Sequence, residues 1–244
     1  MSPLVFLLSP FFLLFFNNTN KSSQITSKTF SKDIITLNAK GLRNIKNRNK
    51  VFNQLRGKAT GIICLQETHS HPPDEKFWPS GLGGGSMYFS HGATNARGVA
   101  IFINKNINFK LINNHSDNEG RLVSVVLELE GKKLGLACVY APNISSNPSE
   151  KIAHESFLEH LHQHLHNMKN DYDISNFIVA GDLNFIKDRQ LDAFGGNPTL
   201  HPKSIALLNK ISDEFALTDI FRELNPNDRL YTFSPGGLNV RNLY

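Results

Sequence analysis

From about residue 30 onward the chain alternates short apolar runs with polar and glycine-rich breaks, and the runs follow two periods. KDIITLN (32 to 38) and GIICLQET (61 to 68) are brief and apolar, which predicts buried strands, and each ends in polar residues. Between them, past Gly41, RNIKNRNKVFNQLR sets Ile45, Phe52 and Leu55 on one side of a predicted helix, with basic residues elsewhere. HPPDEKFWPSGLGGGS is rich in Pro and Gly and predicts a loop, and RGVAIFINK (97 to 105) predicts another strand. Val123, Val125, Leu127 and Leu129 then alternate with Ser124, Val126, Glu128 and Glu130. That is a period of two, and Glu-Gly-Lys-Lys after it reads as a hairpin turn into LGLACVYA. Residues 149 to 168 predict a helix with Leu158, Leu161, Leu165 and Met168 on its inner stripe. NFIVAG predicts a strand, and HPKSIALLNKISDEFAL a second amphipathic helix.

No internal repeat and no linker divides residues 30 to 244. Strand hairpins mixed with separate helices predict one α+β sandwich in which helices cover sheets. The first residues differ. SPLVFLLSPFFLLFF has the length of a signal-peptide apolar region and is too short for an ordinary membrane span. It lacks a basic start, carries Pro3 and Pro10, and no clear small-residue cleavage site follows. Residues 1 to 29 are therefore expected to be an extension outside the fold.

Composition narrows the class. With 40% hydrophobic and 19% charged residues the 244-residue chain is an ordinary globular protein, which excludes wholesale disorder. The net charge of +5 suits a polyanionic partner but does not by itself identify one. Cys64 and Cys138 both lie in apolar runs and are expected to be buried free thiols, which fits a reducing compartment.

The chemistry lies where the apolar runs stop. Four of them end in the same manner: at Asn38, at Gln66-Glu67-Thr68, at Tyr140-Ala-Pro-Asn143 and at Asp182-Leu-Asn184. Strand ends are rigid places from which to aim side chains into a cleft. Carboxylates and amide oxygens are hard ligands for Mg²⁺ or Mn²⁺, and Mg²⁺ takes only one or two protein carboxylates beside waters and phosphate oxygens. Each residue taken singly reads first as an ordinary turn former. Lys40, Arg43, Lys46, Arg48 and Lys50 either touch phosphates near Asn38 or form a charged helix face. In HESFLEHLHQHLH the pairs His160/His164 and His162/His166 are spaced to clamp a metal, but no carboxylate-bearing partner segment is evident. A solvated helix face is expected instead.

The order NAKGL, CLQET, RGVAIFI, VYAPN, GDLN and YTF resembles the endonuclease/exonuclease/phosphatase superfamily. Within it, LQETH, SHGATNARGVAIFI, EGRLVSVVLELEGKKLGLACVYAPN and TDIFRELNPNDRLYTF resemble the apurinic-type endonuclease domain of non-LTR (LINE-type) retrotransposons, over about residues 33 to 235. The resemblance implies a four-layer α/β sandwich of two mainly antiparallel sheets flanked by helices. It implies Glu67 as a metal ligand with Asn38 beside it, and Mg²⁺ or Mn²⁺ as the cofactor. Tyr140 would contact the scissile phosphate, Asp182 would orient or deprotonate water, and Asn184 would hold the phosphate. Asn143, Thr232 and Arg43 would bind substrate, the phosphate backbone of DNA. The implied reaction nicks one DNA strand and leaves a 3′ hydroxyl, carried out by a monomer with no small-molecule cofactor and no membrane partner, in the nucleus or cytoplasm.

The chain departs from that family after YTFSPGGLNVR. A Ser-Arg-Ile/Leu-Asp motif and a later Ser-Asp-His are expected there, and the sequence reads NVRNLY instead. The fold is thus expected to lack its last strands and the activity to be impaired. His69, His71, His91 and His115 are expected in loops without a partner that would replace the missing histidine. Two other functions fit: a non-catalytic DNA-binding remnant, or a secreted phosphodiesterase or phosphatase of the same superfamily.

Overall fold

The computed structural model describes residues 14–17, 34–56, 61–93, 95–194, 199–229 and 239–240. The strands are β1 (Leu14–Asn17), β2 (Ile34–Asn38), β3 (Ile62–Gln66), β4 (Gly85–Ser90), β5 (Val99–Asn104), β6 (Lys110–Ser116), β7 (Leu122–Leu129), β8 (Lys132–Tyr140), β9 (Phe177–Asp182), β10 (Ala193–Phe194), β11 (Leu217–Asp219) and β12 (Asn239–Val240). The helices are α1 (Ile45–Arg56), α2 (Trp78–Gly81), α3 (Pro148–Tyr172), α4 (Arg189–Asp192), α5 (Pro202–Glu214) and α6 (Ile220–Leu224). One large sheet runs β11-β1-β9-β8-β7-β6, a second β2-β3-β5-β4, and β10 and β12 form a separate antiparallel pair.

Four layers follow from which faces are apolar. Val51, Phe52 and Leu55 of α1, with Trp78 and Leu82, cover the outer face of the smaller sheet through Ile35, Ile63, Leu65, Ala100 and Phe102. Between the sheets lie Ile62, Cys64, Ile101 and Ile103 against Val123, Val125, Leu127, Cys138 and Ile178. The far face of the larger sheet packs Val126, Ala137, Val139 and Val179 under Leu158, Leu161, Leu165 and Met168 of α3 and Leu208 and Ile211 of α5. Each such side chain contributes about 1.5–3 kcal/mol on burial. The expected four-layer α/β sandwich is present.

Local chemistry sets the element ends. At α3 the Asn147 side chain accepts from the Ser149 N–H, Pro148 opens the first turn, and Asp173 closes the helix at φ 53°. The predicted hairpin turn is Glu130-Gly131, both with positive φ (50° and 76°), as a two-residue loop between twisted strands requires. Both sheets contain one parallel pair, each joined by a long helix: β2-α1-β3 and β8-α3-β9.

Several expectations are corrected. Leu14–Asn17 lies within the stretch expected outside the fold, yet it pairs antiparallel with both β9 and β11. The side of β9 that faces away from β8 carries backbone hydrogen-bonding groups, and this apolar run satisfies them. Ile45 is 63% exposed at the first residue of α1, and Val51 takes its place in the core. The Pro/Gly-rich loop contains a 3₁₀ turn, Pro72–Lys76, and the short α2, whose Trp78 is buried edge-on to Phe52 and Phe89. β7 is buried on both faces because its sheet is an inner layer, so its period of two marks two cores and not core against solvent.

The histidine-rich face of α3 is also not simply solvated. His162 Nε2 and His166 Nδ1 meet the two oxygens of Glu214 on α5 at 2.6 and 2.9 Å. His164 shares a hydrogen bond with Ser124 Oγ and packs on His115, which lies in β6 and not in a loop. His91 bridges Ser70 Oγ and Glu75 Oε1, and His71 bonds Asp74. Cys64 and Cys138 are buried and free, as expected. No helix among the described residues is long and apolar enough to cross a membrane.

Candidate active site

The two parallel pairs bring the polar strand ends together. In register, Asn38 of β2 lies opposite Gln66 of β3, and Tyr140 of β8 opposite Asp182 of β9. The strands of a parallel pair finish at the same edge, and here both pairs finish at the same end of the sandwich. Asn38 Nδ2 donates to Glu67 Oε1 at 2.9 Å and across the sheets to Asp182 Oδ2 at 3.3 Å. Tyr140 Oη donates to Glu67 Oε1 at 2.7 Å. The Asn184 backbone N–H donates to Asp182 Oδ1 at 2.9 Å, and its side chain to the Ala141 carbonyl at 2.7 Å.

The backbone is shaped to allow this. Glu67 and Asn184 hold left-handed conformations, φ 49° and 55°. For a glutamate this costs on the order of 1 kcal/mol, retained because the peptide is held by Gly41, which donates to the Glu67 carbonyl at 2.8 Å. Gly181 has φ +145°, and a Cβ there would lie 2.0 Å from the Val139 carbonyl oxygen, so only glycine allows β9 to close on β8 just before Asp182.

Burial and charge set the protonation states. Burial, reinforced by the Glu67 carboxylate, holds Asp182 well above the usual carboxylate range, although Asn184 and Asn38 donate to it. Burial and the neighbouring carboxylates raise Tyr140 too, so its hydroxyl remains a donor. Two carboxyl groups aimed at one amide make a hollow of oxygen donors. Among the described residues no group of three or more His, Cys, Asp or Glu is gathered for a metal. The donor set therefore fits a hard cation that takes one or two protein carboxylates, not a site such as a zinc cage.

Five of the eight expected residues thus meet in one cluster: Asn38, Glu67, Tyr140, Asp182 and Asn184. Asn143 lies exposed in the loop after β8, outside the hydrogen-bonded group. Arg43 is exposed in the loop before α1 and donates to Asn95 Oδ1 at 3.1 Å. Thr232 lies outside the described residues. Sequence reasoning missed Arg121, whose guanidinium donates to the Tyr140 carbonyl at 3.1 Å and sits 5.6 Å from the Tyr140 ring centre. Burial lowers its pKa, with Arg97 nearby. Its only sequence signal is a lone arginine opening an apolar strand.

The model of the Endonuclease/Exonuclease/phosphatase family matches residues 28–241. The chain belongs to that family. The uncharacterized 149 kDa protein of transposon TX1 from Xenopus laevis is 28% identical over 201 residues, 82% of this chain and 14% of that protein. The chain thus spans about one-seventh of this relative's length. An AP endonuclease from Leishmania major shares the fold at TM-score 0.68 and 21% identity, covering 85% of this chain and 75% of its own. An AP endonuclease from Archaeoglobus fulgidus does so at 0.63 and 24%, covering 85% and 83%.

Proposed function

We propose that this Endonuclease/Exonuclease/phosphatase family domain is a divalent-metal-dependent phosphodiester hydrolase of the DNA-nicking, retrotransposon type. The observation that carries the reading is the meeting of Asn38, Glu67, Tyr140, Asp182 and Asn184 from four strand ends. The transposon relative and the AP endonuclease folds support DNA as the substrate.

Glu67, with Asn38, would hold Mg²⁺ or Mn²⁺. The cation, when bound, neutralises charge developing on the phosphoryl oxygens. Asp182, whose raised pKa suits a base, orients a water and, in its ionised form, accepts its proton as the water oxygen bonds to phosphorus. The P–O3′ bond breaks and the leaving oxygen takes a proton from solvent water, giving a 3′ hydroxyl and a 5′ phosphate. Tyr140 would contact the scissile phosphate by turning its hydroxyl from Glu67, Asn184 would hold that phosphate, and Arg43, Asn143 and Thr232 would hold the flanking backbone. On this reading the chain acts as a monomer in the nucleus or cytoplasm, without a small-molecule cofactor or membrane partner.

The net charge of +5 suits a second reading, DNA binding without cleavage. Supercoiled plasmid incubated with the chain, with and without Mg²⁺ or Mn²⁺, decides between them. Metal-dependent nicking that Asp182→Asn abolishes supports the first. Salt-sensitive binding with no cleavage supports the second.

A further inference from the structure

Leu183, between Asp182 and Asn184, is held from behind by a histidine that the proposed chemistry does not use. His154 of α3 is fully buried. Its Nε2 lies 2.8 Å from the Leu183 carbonyl oxygen and its Nδ1 3.1 Å from Ser204 Oγ on α5. Its ring meets Phe185 edge-on, with centroids 5.2 Å apart. A carbonyl only accepts, so the hydrogen is on Nε2, and Nδ1 must then accept from the Ser204 hydroxyl. Both nitrogens are engaged, which fixes the ring in one tautomer and one orientation.

The bonded carbonyl belongs to the same planar peptide unit as the Asn184 N–H. That N–H donates to Asp182 Oδ1 at 2.9 Å. The Leu183–Asn184 peptide is therefore gripped at both ends, by the imidazole on its oxygen and by the Asp182 carboxylate on its nitrogen. Rotation of this plane would turn the N–H off Asp182 and release the left-handed φ of Asn184. We propose that His154 is a positioning residue that sets the Leu183–Asn184 peptide plane, and through it the aim of both Asp182 and Asn184. It does so by tying the β9 terminus to α3 and α5. With no exposed surface, it cannot touch substrate.

The consequence for cleavage rests on the nuclease reading, and the test separates the two. In the full chain, His154→Leu removes both hydrogen bonds, whereas His154→Gln retains a nitrogen near the Nε2 position. The readouts are the Asn184 amide resonances in two-dimensional NMR, Mn²⁺ affinity by electron paramagnetic resonance titration, and plasmid nicking. Expected for His154→Leu are displaced Asn184 resonances and a loss of roughly 10–100-fold in Mn²⁺ affinity or turnover. The KM for DNA should be little changed, and His154→Gln should restore most of the loss. If His154→Leu does not fold, Ser204→Ala takes its place, with a smaller loss in the same direction. Unmoved Asn184 resonances in folded His154→Leu or Ser204→Ala, or a folded His154→Gln as impaired as His154→Leu, would overturn the proposal. Displaced Asn184 resonances in a chain whose wild type neither binds Mn²⁺ nor nicks would uphold the positioning role and overturn the nuclease reading instead.

Discussion

Tyr140, the last residue of β8, donates its phenolic hydrogen to Glu67 just past β3, at 2.7 Å, so that one hydrogen bond joins the two sheets at the mouth of the site. Burial and the neighbouring carboxylates keep the phenol protonated, which makes it a dependable donor to a charged acceptor. Tyr140→Phe is expected to leave the fold intact and cost about 1–2 kcal/mol, measured by urea denaturation. Any nicking should fall at least tenfold. Unchanged stability together with unchanged nicking would show that Glu67 does not depend on this contact.

Gly181 is expected to tolerate no side chain. With φ +145° and a carbonyl oxygen 2.0 Å from where a Cβ would sit, Gly181→Ala must part β9 from β8 or strain both. A loss of more than about 3 kcal/mol follows, seen as a lowered melting temperature or insoluble expression. A variant that melts like wild type would mean that the strands separate there at little cost.

His164 gives the fold an acid sensitivity. Burial first, then the charges of His115 and His160, lower its pKa from 6.5 to about 4, so the folded state holds it neutral. The unfolded chain takes up the proton at higher pH. Stability from this group is therefore full above about pH 6.5 and declines as pH falls toward 4, by up to about 3 kcal/mol, less to the extent that water reaches the ring. His164→Gln can still bond Ser124 and should flatten this part of the profile. Denaturation at pH 7.5, 6 and 5 measures it, and equal slopes in both proteins would refute the assignment.

Asp192 anchors the segment that follows the site. Its carboxylate is buried, pairs with Arg222 at 2.6 Å, and accepts the Asp188 N–H at 2.9 Å. Asp192→Leu should cost about 3–5 kcal/mol because Arg222 loses its carboxylate and keeps the Asn225 and Asp228 carbonyls, while Asp192→Leu combined with Arg222→Met should recover part of that. Thermal melts of the single and double variants form the comparison. No recovery in the double variant would show that the pair is not the reason for the loss.

The buried runs were legible because burial requires apolar residues wherever strands and helices pack, and periodicity carries that demand directly into sequence. Leu158, Leu161, Leu165 and Met168 announced α3, and Glu130-Gly131 announced the hairpin. The site was legible as four polar strand ends. Ile45 misled because a residue in the first turn of a helix need not face the core. Trp78 and the 3₁₀ turn were hidden because Pro and Gly signal a break in pattern without saying what packs there. The partners of His162, His166 and His91 are Glu214, Ser70 and Glu75, and no local pattern marks contacts made between separate elements.

By itself, then, the sequence determined which segments are buried, where each strand stops, and which hard oxygen donors stand at those stops. It also determined the family resemblance, since motif order survives without coordinates. Only tertiary structure decided that Asn38 and Asp182, 144 residues apart, share a hydrogen bond, that Leu14–Asn17 pairs with β9, and that His154 grips the peptide between the two site residues. Those depend on two parallel pairs in different sheets ending at one edge. That placement comes from packing across layers, and hydrophobic periodicity is silent about which layer meets which.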